Sequence, residues 1–178
     1  ALITSPIEAS VRQWYLNDAK RILSEHSDLI KIGITGSYGK TSTKNVMQAV
    51  LGQHYNSLMT PASFNTPMGI TITIRQYLKP IHQVFVCEMG ADKKGDITEL
   101  MEFVHPSIGV VTSIGPQHLS TFGSQENIIR EKMQMIELLP KDGFGILNYD
   151  NEFIRGYAVK NPVETVTYGV TSRDTDYY

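Results

Sequence analysis

Short apolar runs alternate along the chain with longer stretches in which apolar residues recur every three or four positions. The runs fall at 30–35, 84–88, 108–114, 144–148 and 163–168, and they read as strands buried on both faces. The periodic stretches predict helices over 41–53, from the end of the 60–67 loop to 78, and over 97–104, 124–139 and 151–159. Ser5, Pro6 and Glu8 form a capping box with proline at the first helical position. The helix they start runs to about His26, with Ile7, Val11, Trp14, Ile22 and Leu23 near one face and Trp14 and Tyr15 in a packed surface. Residues 60–67 and 115–123 are rich in small and turn-forming types and read as loops.

Apolar strands alternating with helices predict an α/β fold, a mostly parallel sheet with helices on both faces. In such a sheet ligands bind outside the carboxyl ends of the strands. The residues with chemical potential cluster just after the first three runs, so three loops distant in sequence can meet in one site. No internal repeat, low-complexity stretch or interdomain linker interrupts the pattern.

Composition narrows this picture. A length of 178 residues suits one domain, and 41% hydrophobic with 19% charged residues is an ordinary globular balance. A net charge of −2 without a basic stripe gives no reason to expect a nucleic-acid partner. One cysteine excludes an internal disulfide framework and fits a reducing compartment. No apolar run approaches the roughly 20 residues that span a bilayer, and no membrane contact is evident. The chain opens at Ala1 without initiator Met, signal peptide or basic presequence. It therefore reads as a fragment, which leaves a targeting or membrane segment upstream open.

Chemistry enters after the first run. Thr35-Gly36-Ser37-Tyr38-Gly39-Lys40-Thr41-Ser42, between a strand and a helix, has the arrangement of a phosphate-binding loop. Glycines let backbone N–H groups turn around phosphate oxygens, and the helix N-terminus adds positive potential. Lys40 would meet the β- and γ-phosphates, and the Thr41 hydroxyl would ligate Mg²⁺. Ile34 stands where the usual first glycine would be.

Glu88 closes the second run, where a phosphate-loop protein places an acidic residue for Mg²⁺; the alternative is a solvated strand end. Cys87 beside it reads as core. His118, in Gly115-Pro116-Gln117-His118-Leu119 directly after the third run, reads as a metal ligand by position, against the general tendency of lone histidines to be structural.

Taken in order, these pieces resemble the central, ATP-binding domain of the Mur ligases, and within that family its MurF-like branch. The phosphate loop shares the shortened glycine spacing. Glu88-Met89-Gly90-Ala91 followed by Gly95-Asp96-Ile97 resembles the branch's acidic segment. Val111-Thr112-Ser113-Ile114-Gly115-Pro116-Gln117-His118-Leu119, then Phe122-Gly123-Ser124, resembles its histidine segment. Ile128-Ile129-Arg130-Glu131-Lys132 resembles the helix that carries a carbamylated lysine. The resemblance covers about residues 32–150.

It implies an ATP-dependent ligase of peptidoglycan precursor synthesis in the bacterial cytoplasm. A carboxylate takes the γ-phosphoryl group of ATP, and an amine then displaces phosphate to form an amide. In this branch the partners are a UDP-linked muramoyl tripeptide and D-Ala-D-Ala. By position, Gly36 to Ser42, including Ser37, Tyr38, Gly39, Lys40 and Thr41, bind ATP, with Asn148 a weaker contributor from an Asn-x-Asp element with Asp150. Thr41 and Glu88 hold one Mg²⁺, and His118 with carbamylated Lys132 a second; on the residues alone Lys132 reads as a surface lysine. Ser63 and Asn65 match the loop that approaches substrate, although the family usually has asparagine where Ser63 stands and glutamate where Gln134 stands. The resemblance further implies a monomer, with residues 1–28 a leading helix or linker from an N-terminal domain and 29–178 the central domain, short of the adenine-contacting helix and the C-terminal domain. Two rivals remain. A GTPase switch would use the spacing of Asp92-Lys93-Lys94-Gly95, but no Asn-Lys-x-Asp element follows. The other is a non-catalytic ATP-binding regulatory domain.

Overall fold

A computed structural model describes residues 4–178, with side chains from Ile7 onward, so the Ser5 capping box lies outside the described residues. Six strands form one sheet in the order β2-β3-β1-β4-β5-β6. They are β1 (Ile30–Thr35), β2 (Ser57–Met59), β3 (Val84–Glu88), β4 (Ile108–Val111), β5 (Phe144–Asn148) and β6 (Glu164–Tyr168). Every neighbouring pair is parallel. The helices are α1 (Thr4–Glu25), α2 (Lys40–Leu51), α3 (Pro67–Tyr77), α4 (Asp96–Val104), α5 (Leu119–Phe122), α6 (Gln125–Glu137) and α7 (Glu152–Arg155).

Alternate strand residues build two cores, as expected for a sheet covered on both sides. Ile32, Ile34, Val84, Val86 and Val110 pack beneath Met47 and Leu51 of α2. Phe85, Cys87, Val111 and Leu147 join Ile97, Leu100, Ile128, Met133, Met135 and Ile136 of α4 and α6 in the larger core. Side chains of this size contribute roughly 1.5–3 kcal/mol each on full burial. Helix α6 lies close to the strands because they carry glycine beneath it. A Cβ on Gly33 would come 2.9 Å from Met135 Sδ, and one on Gly109 would come 2.9 Å from the Met135 carbonyl oxygen.

Several expectations are corrected. β2 had no signature: three residues at a sheet edge show no periodicity. β4 stops at Val111 rather than 114, because the chain beyond it turns to pair with the β1–α2 loop, Ser113 O accepting from Ser37 N at 2.6 Å. The loop at 115–123 contains α5, and the last short helix ends at Arg155, ahead of Gly156. Helix α1 has the expected length, but its inward face is Leu16, Ala19, Ile22 and Leu23, packed beside α3. Ile7, Val11 and Trp14 on its first half are exposed. Trp14 meets Tyr15 edge-to-face at 5.1 Å, and the Arg75 guanidinium sits 4.3 Å from the Tyr15 ring.

The connection between neighbours reverses at β1, which has β3 on one side and β4 on the other. Ile34 pairs with Glu88 and Thr35 with Val111, so the loops after all three strands open at one edge. After β5 on this same edge, the Asp150 carboxylate accepts from the N–H groups of Val170, Thr171 and Ser172 and ties the segment after β6 to the end of β5. These bonds pull the Asp150 pKa well below the ordinary carboxylate value.

Candidate active site

The β1–α2 loop leaves the sheet at Gly36 (φ 150°) and enters the helix through Gly39 (φ 85°), the left-handed residue before α2. Its underside rests on the end of β4: Thr112 Oγ1 lies 2.7 Å from the Tyr38 carbonyl oxygen, and the Ser37 hydroxyl is 3.1 Å from both the N and the O of Gly115. The N–H groups of Tyr38, Gly39, Lys40, Thr41 and Ser42 have no hydrogen-bond partner among the described residues. Free donors at a helix N-terminus make an anion cradle. Lys40 folds back to donate to Gly36 O at 2.8 Å. Burial lowers its pKa, opposed by Glu88 and Asp92.

Glu88 is 1% exposed, so it is no solvated strand end. Its Oε2 accepts from Thr41 Oγ1 at 3.0 Å and lies 3.0 Å from Lys44 Nζ, while Oε1 accepts from Asn65 Nδ2 at 3.2 Å. The 60–66 loop that supplies Asn65 is tied in again by Gly90 N donating to Asn65 O at 2.8 Å. Ser63, from the same loop, stands exposed and does not line the cavity described next.

Lys40, from the phosphate loop, reaches a cavity of about 360 Å³ lined also by Arg12, Asn65, Asp92, His118 and Lys132 among others. His118 is the left-handed residue (φ 57°) before α5, with Nε2 3.3 Å from Asp92 Oδ1. Lys132 comes from α6 and is 1% exposed, which removes its reading as a surface lysine. Its Nζ donates to Ala91 O at 3.1 Å and lies 5.9 Å from the Phe122 ring centroid. Burial first, and Lys40 second, bring its pKa down to about 8. The preceding residue, Glu131, accepts from Gly95 N at 2.9 Å and Ile97 N at 2.8 Å, where α4 begins.

Lys40, Lys132, His118 and Asn65 thus line one cavity, while Thr41 and Glu88, joined to it through the Asn65 amide, pair with each other outside its lining. Asn148 does not open onto it. Its Nδ2 donates to Thr112 O at 2.7 Å and its Oδ1 accepts from Asp150 N at 3.1 Å, so it supports the segment under the phosphate loop. Cys87 is a buried core thiol whose pKa burial pushes up. No group of three or more His, Cys, Asp and Glu side chains converges as a metal cage among the described residues. The oxygen donors present nonetheless suit a hard ion that brings phosphate oxygens with it.

Sequence reasoning missed Lys44, Arg12 and Asp92 as site residues. The Asp92–His118 approach had no local signal, and Arg12 lies on a helix with no motif. Lys44 stands one turn after Lys40, the position from which a buried partner is reachable.

A family model described as the Mur ligase middle domain matches residues 34–178. Among curated proteins, the UDP-N-acetylmuramoyl-tripeptide–D-alanyl-D-alanine ligase of Bacillus subtilis is 35% identical over 159 residues, 89% of this chain and 34% of that protein. That of Mycobacterium tuberculosis is 39% identical over 127 residues, 71% of this chain and 25% of that one. The MurF ligase of Thermotoga maritima, solved in complex with ADP, superposes with a TM-score of 0.81 at 28% identity, covering 90% of this chain and 37% of that one. The chain spans about a third of the length of the curated relatives it matches.

Proposed function

The chain belongs to the Mur ligase family, as its middle domain, and from that premise we propose that it is the nucleotide-handling part of an ATP-dependent, ADP-forming ligase that joins D-Ala-D-Ala to a UDP-linked muramoyl tripeptide. The setting proposed is peptidoglycan precursor synthesis in the bacterial cytoplasm, by a monomer. Residues 29–178 form the central domain in this reading, and α1 leads in from a preceding domain. The observation that carries the proposal is the meeting of Lys40 and Lys132 in one cavity beside a loop in which five N–H groups have no partner among the described residues.

In the first step a substrate carboxylate oxygen bonds to the γ-phosphorus while the bond to the ADP oxygen breaks, giving an acyl phosphate. The dipeptide amine then attacks the acyl carbon, phosphate leaves with its oxygen, and the amine loses a proton. Phosphoryl transfer asks the protein chiefly for position and charge neutralisation. The N–H groups of residues 38–42 hold the phosphates, and Lys40 exchanges Gly36 O for a phosphate oxygen. The Thr41 hydroxyl donates its hydrogen bond to Glu88 and so keeps its lone pairs free to face an ion. Thr41 and Glu88 would hold one Mg²⁺ and His118 and Lys132 a second, and bound there the ions would supply charge neutralisation at the phosphoryl group. A lysine amine near 8 is free base for a useful fraction of the time, and as free base it adds to CO₂, forming an N–C bond and losing a proton. The product is an anionic carbamate, an oxygen donor suited to a hard ion. The GTPase and non-catalytic readings have no support among the relatives' names.

The test is product formation by the full-length protein with ATP, the muramoyl tripeptide and D-Ala-D-Ala. Amide and ADP should appear in equal amounts, and GTP should not replace ATP. Lys40→Ala should fold and lose activity by about a hundredfold or more. Near-normal turnover by that variant at saturating ATP would mean the phosphate-loop assignment is wrong.

A further inference from the structure

Lys44 is among the largest fully buried side chains, 1% exposed, and the phosphate-loop motif gives it no role. Its ammonium lies 3.0 Å from Glu88 Oε2 and donates to the Ala62 carbonyl oxygen. Ala62 holds a left-handed backbone (φ 43°) in the loop that carries Asn65. One lysine on α2 therefore fastens both the carboxylate and the loop above it. Stability alone is a poor reason for such a pair, since apolar residues of similar volume usually serve at least as well.

A cation that settles on Glu88 shares its carboxylate with an ammonium already in place. We propose that Lys44 is a positioning residue that aims Glu88 and, by its charge, keeps a bare divalent cation off that carboxylate until nucleotide phosphates arrive. Metal then enters as its nucleotide complex, and no hydrated ion occupies the cradle beforehand. The inference rests on the reading of Glu88 as a metal ligand. Even with water-like screening, a unit charge roughly 6 Å from a divalent ion changes its binding about tenfold.

The experiment measures Mn²⁺ binding to the full-length protein by electron paramagnetic resonance, without nucleotide and with saturating ADP, beyond what ADP alone holds. Lys44→Gln keeps a donor for Ala62 O and removes the charge, and Lys44→Met removes both. Wild type should bind Mn²⁺ at least tenfold more tightly with ADP than without. In Lys44→Gln, checked as folded by circular dichroism, bare-protein affinity should rise at least tenfold and the effect of ADP shrink. Unchanged or weaker bare-protein binding in the folded variants overturns the proposal. So does failure of both variants to fold, which would make the pair purely structural. Glu88→Gln separates the two readings. If it leaves Mn²⁺ binding with ADP intact, the assignment of Glu88 itself fails; if it abolishes that binding while Lys44→Gln changes nothing, only the role of Lys44 fails.

Discussion

Replacing Lys132 with methionine should stabilise the fold while removing the proposed ligase activity of the full-length protein. Burial and the neighbouring Lys40 hold the Lys132 amine at about 8, against an ordinary value of 10.5. Below pH 8 the amine carries its proton in folded and unfolded chains alike, so the folded state is disfavoured by the whole difference, about 3 kcal/mol at roughly 1.4 kcal/mol per pH unit. Methionine occupies a similar volume without charge. It forfeits the bond to Ala91 O and leaves that oxygen unpartnered, a loss of about 1–2 kcal/mol. The net expectation at pH 7 is a gain of about 1–2 kcal/mol. Between pH 8 and 10.5 the unfolded wild-type chain binds the proton that the folded chain has released. Wild-type stability therefore climbs with pH in that window, and the variant ends as the weaker chain. Urea unfolding of both chains at pH 7 and pH 10 reads the difference directly, in CO₂-depleted buffer so that carbamylation does not consume the amine. A variant less stable at pH 7, or a difference that is flat between the two pH values, refutes the reasoning. In the full-length protein the same substitution should remove most ligation. Lys132→Ala should regain part of its activity when acetate is added, and full activity in it would take the residue out of the mechanism.

Gly90→Ala would bring a Cβ to 2.8 Å from Asn65 Cγ and push that amide off Glu88. It should lower kcat/KM about ten- to a hundredfold with little change in melting temperature, and unaltered kinetics would show that Asn65 is immaterial. Asp150→Asn should lower thermal stability at neutral pH. Because the Asp150 pKa is depressed by the N–H groups it accepts from, the advantage of the aspartate is present above the ordinary value of 3.8 and fades as pH falls through the folded value. Melting curves of the two chains should therefore converge in acid; a constant gap would contradict this. The 178-residue chain by itself, a third of its relatives' length, should form no amide, and steady turnover by the pure chain would overturn that expectation.

What the sequence revealed was what local pattern encodes. β1, β3 and β5 were readable to the residue because short, mostly apolar runs are followed within two residues by turn formers. The phosphate loop, Glu88 and His118 were singled out by residue type and position and Lys132 only through the family resemblance, and the parallel sheet explains why loops so far apart converge. β2 was invisible because its pairing with β3, not its own three residues, makes it a strand. The exposed first half of α1 carried as good an apolar stripe as its packed half, and only tertiary contact tells them apart. Lys44 was illegible for the opposite reason. On an amphipathic helix a lysine reads as solvent-facing, and its burial depends on a carboxylate 44 residues later in the chain. Asn148 was placed near the nucleotide by its motif, but its amide is engaged at both ends beneath the loop.

The grip of Glu131 on the first N–H groups of α4 has a geometric consequence for its neighbour. Hydrophobic packing fixes how far a helix sits from a sheet but resists rotation about the helix axis only softly, since oily contacts have no direction. Two hydrogen bonds to fixed N–H groups do have direction, and they index α6 to one angular setting. Adjacent residues on a helix point about 100° apart, so the setting that seats Glu131 also sets the bearing of Lys132. Nζ stands roughly 8 Å from the helix axis, and a rotation of about 15° would swing it some 2 Å sideways. That is enough to take it out of reach of an ion. A shortened carboxylate at position 131 would thus be expected to mimic an active-site lesion while touching neither nucleotide nor metal.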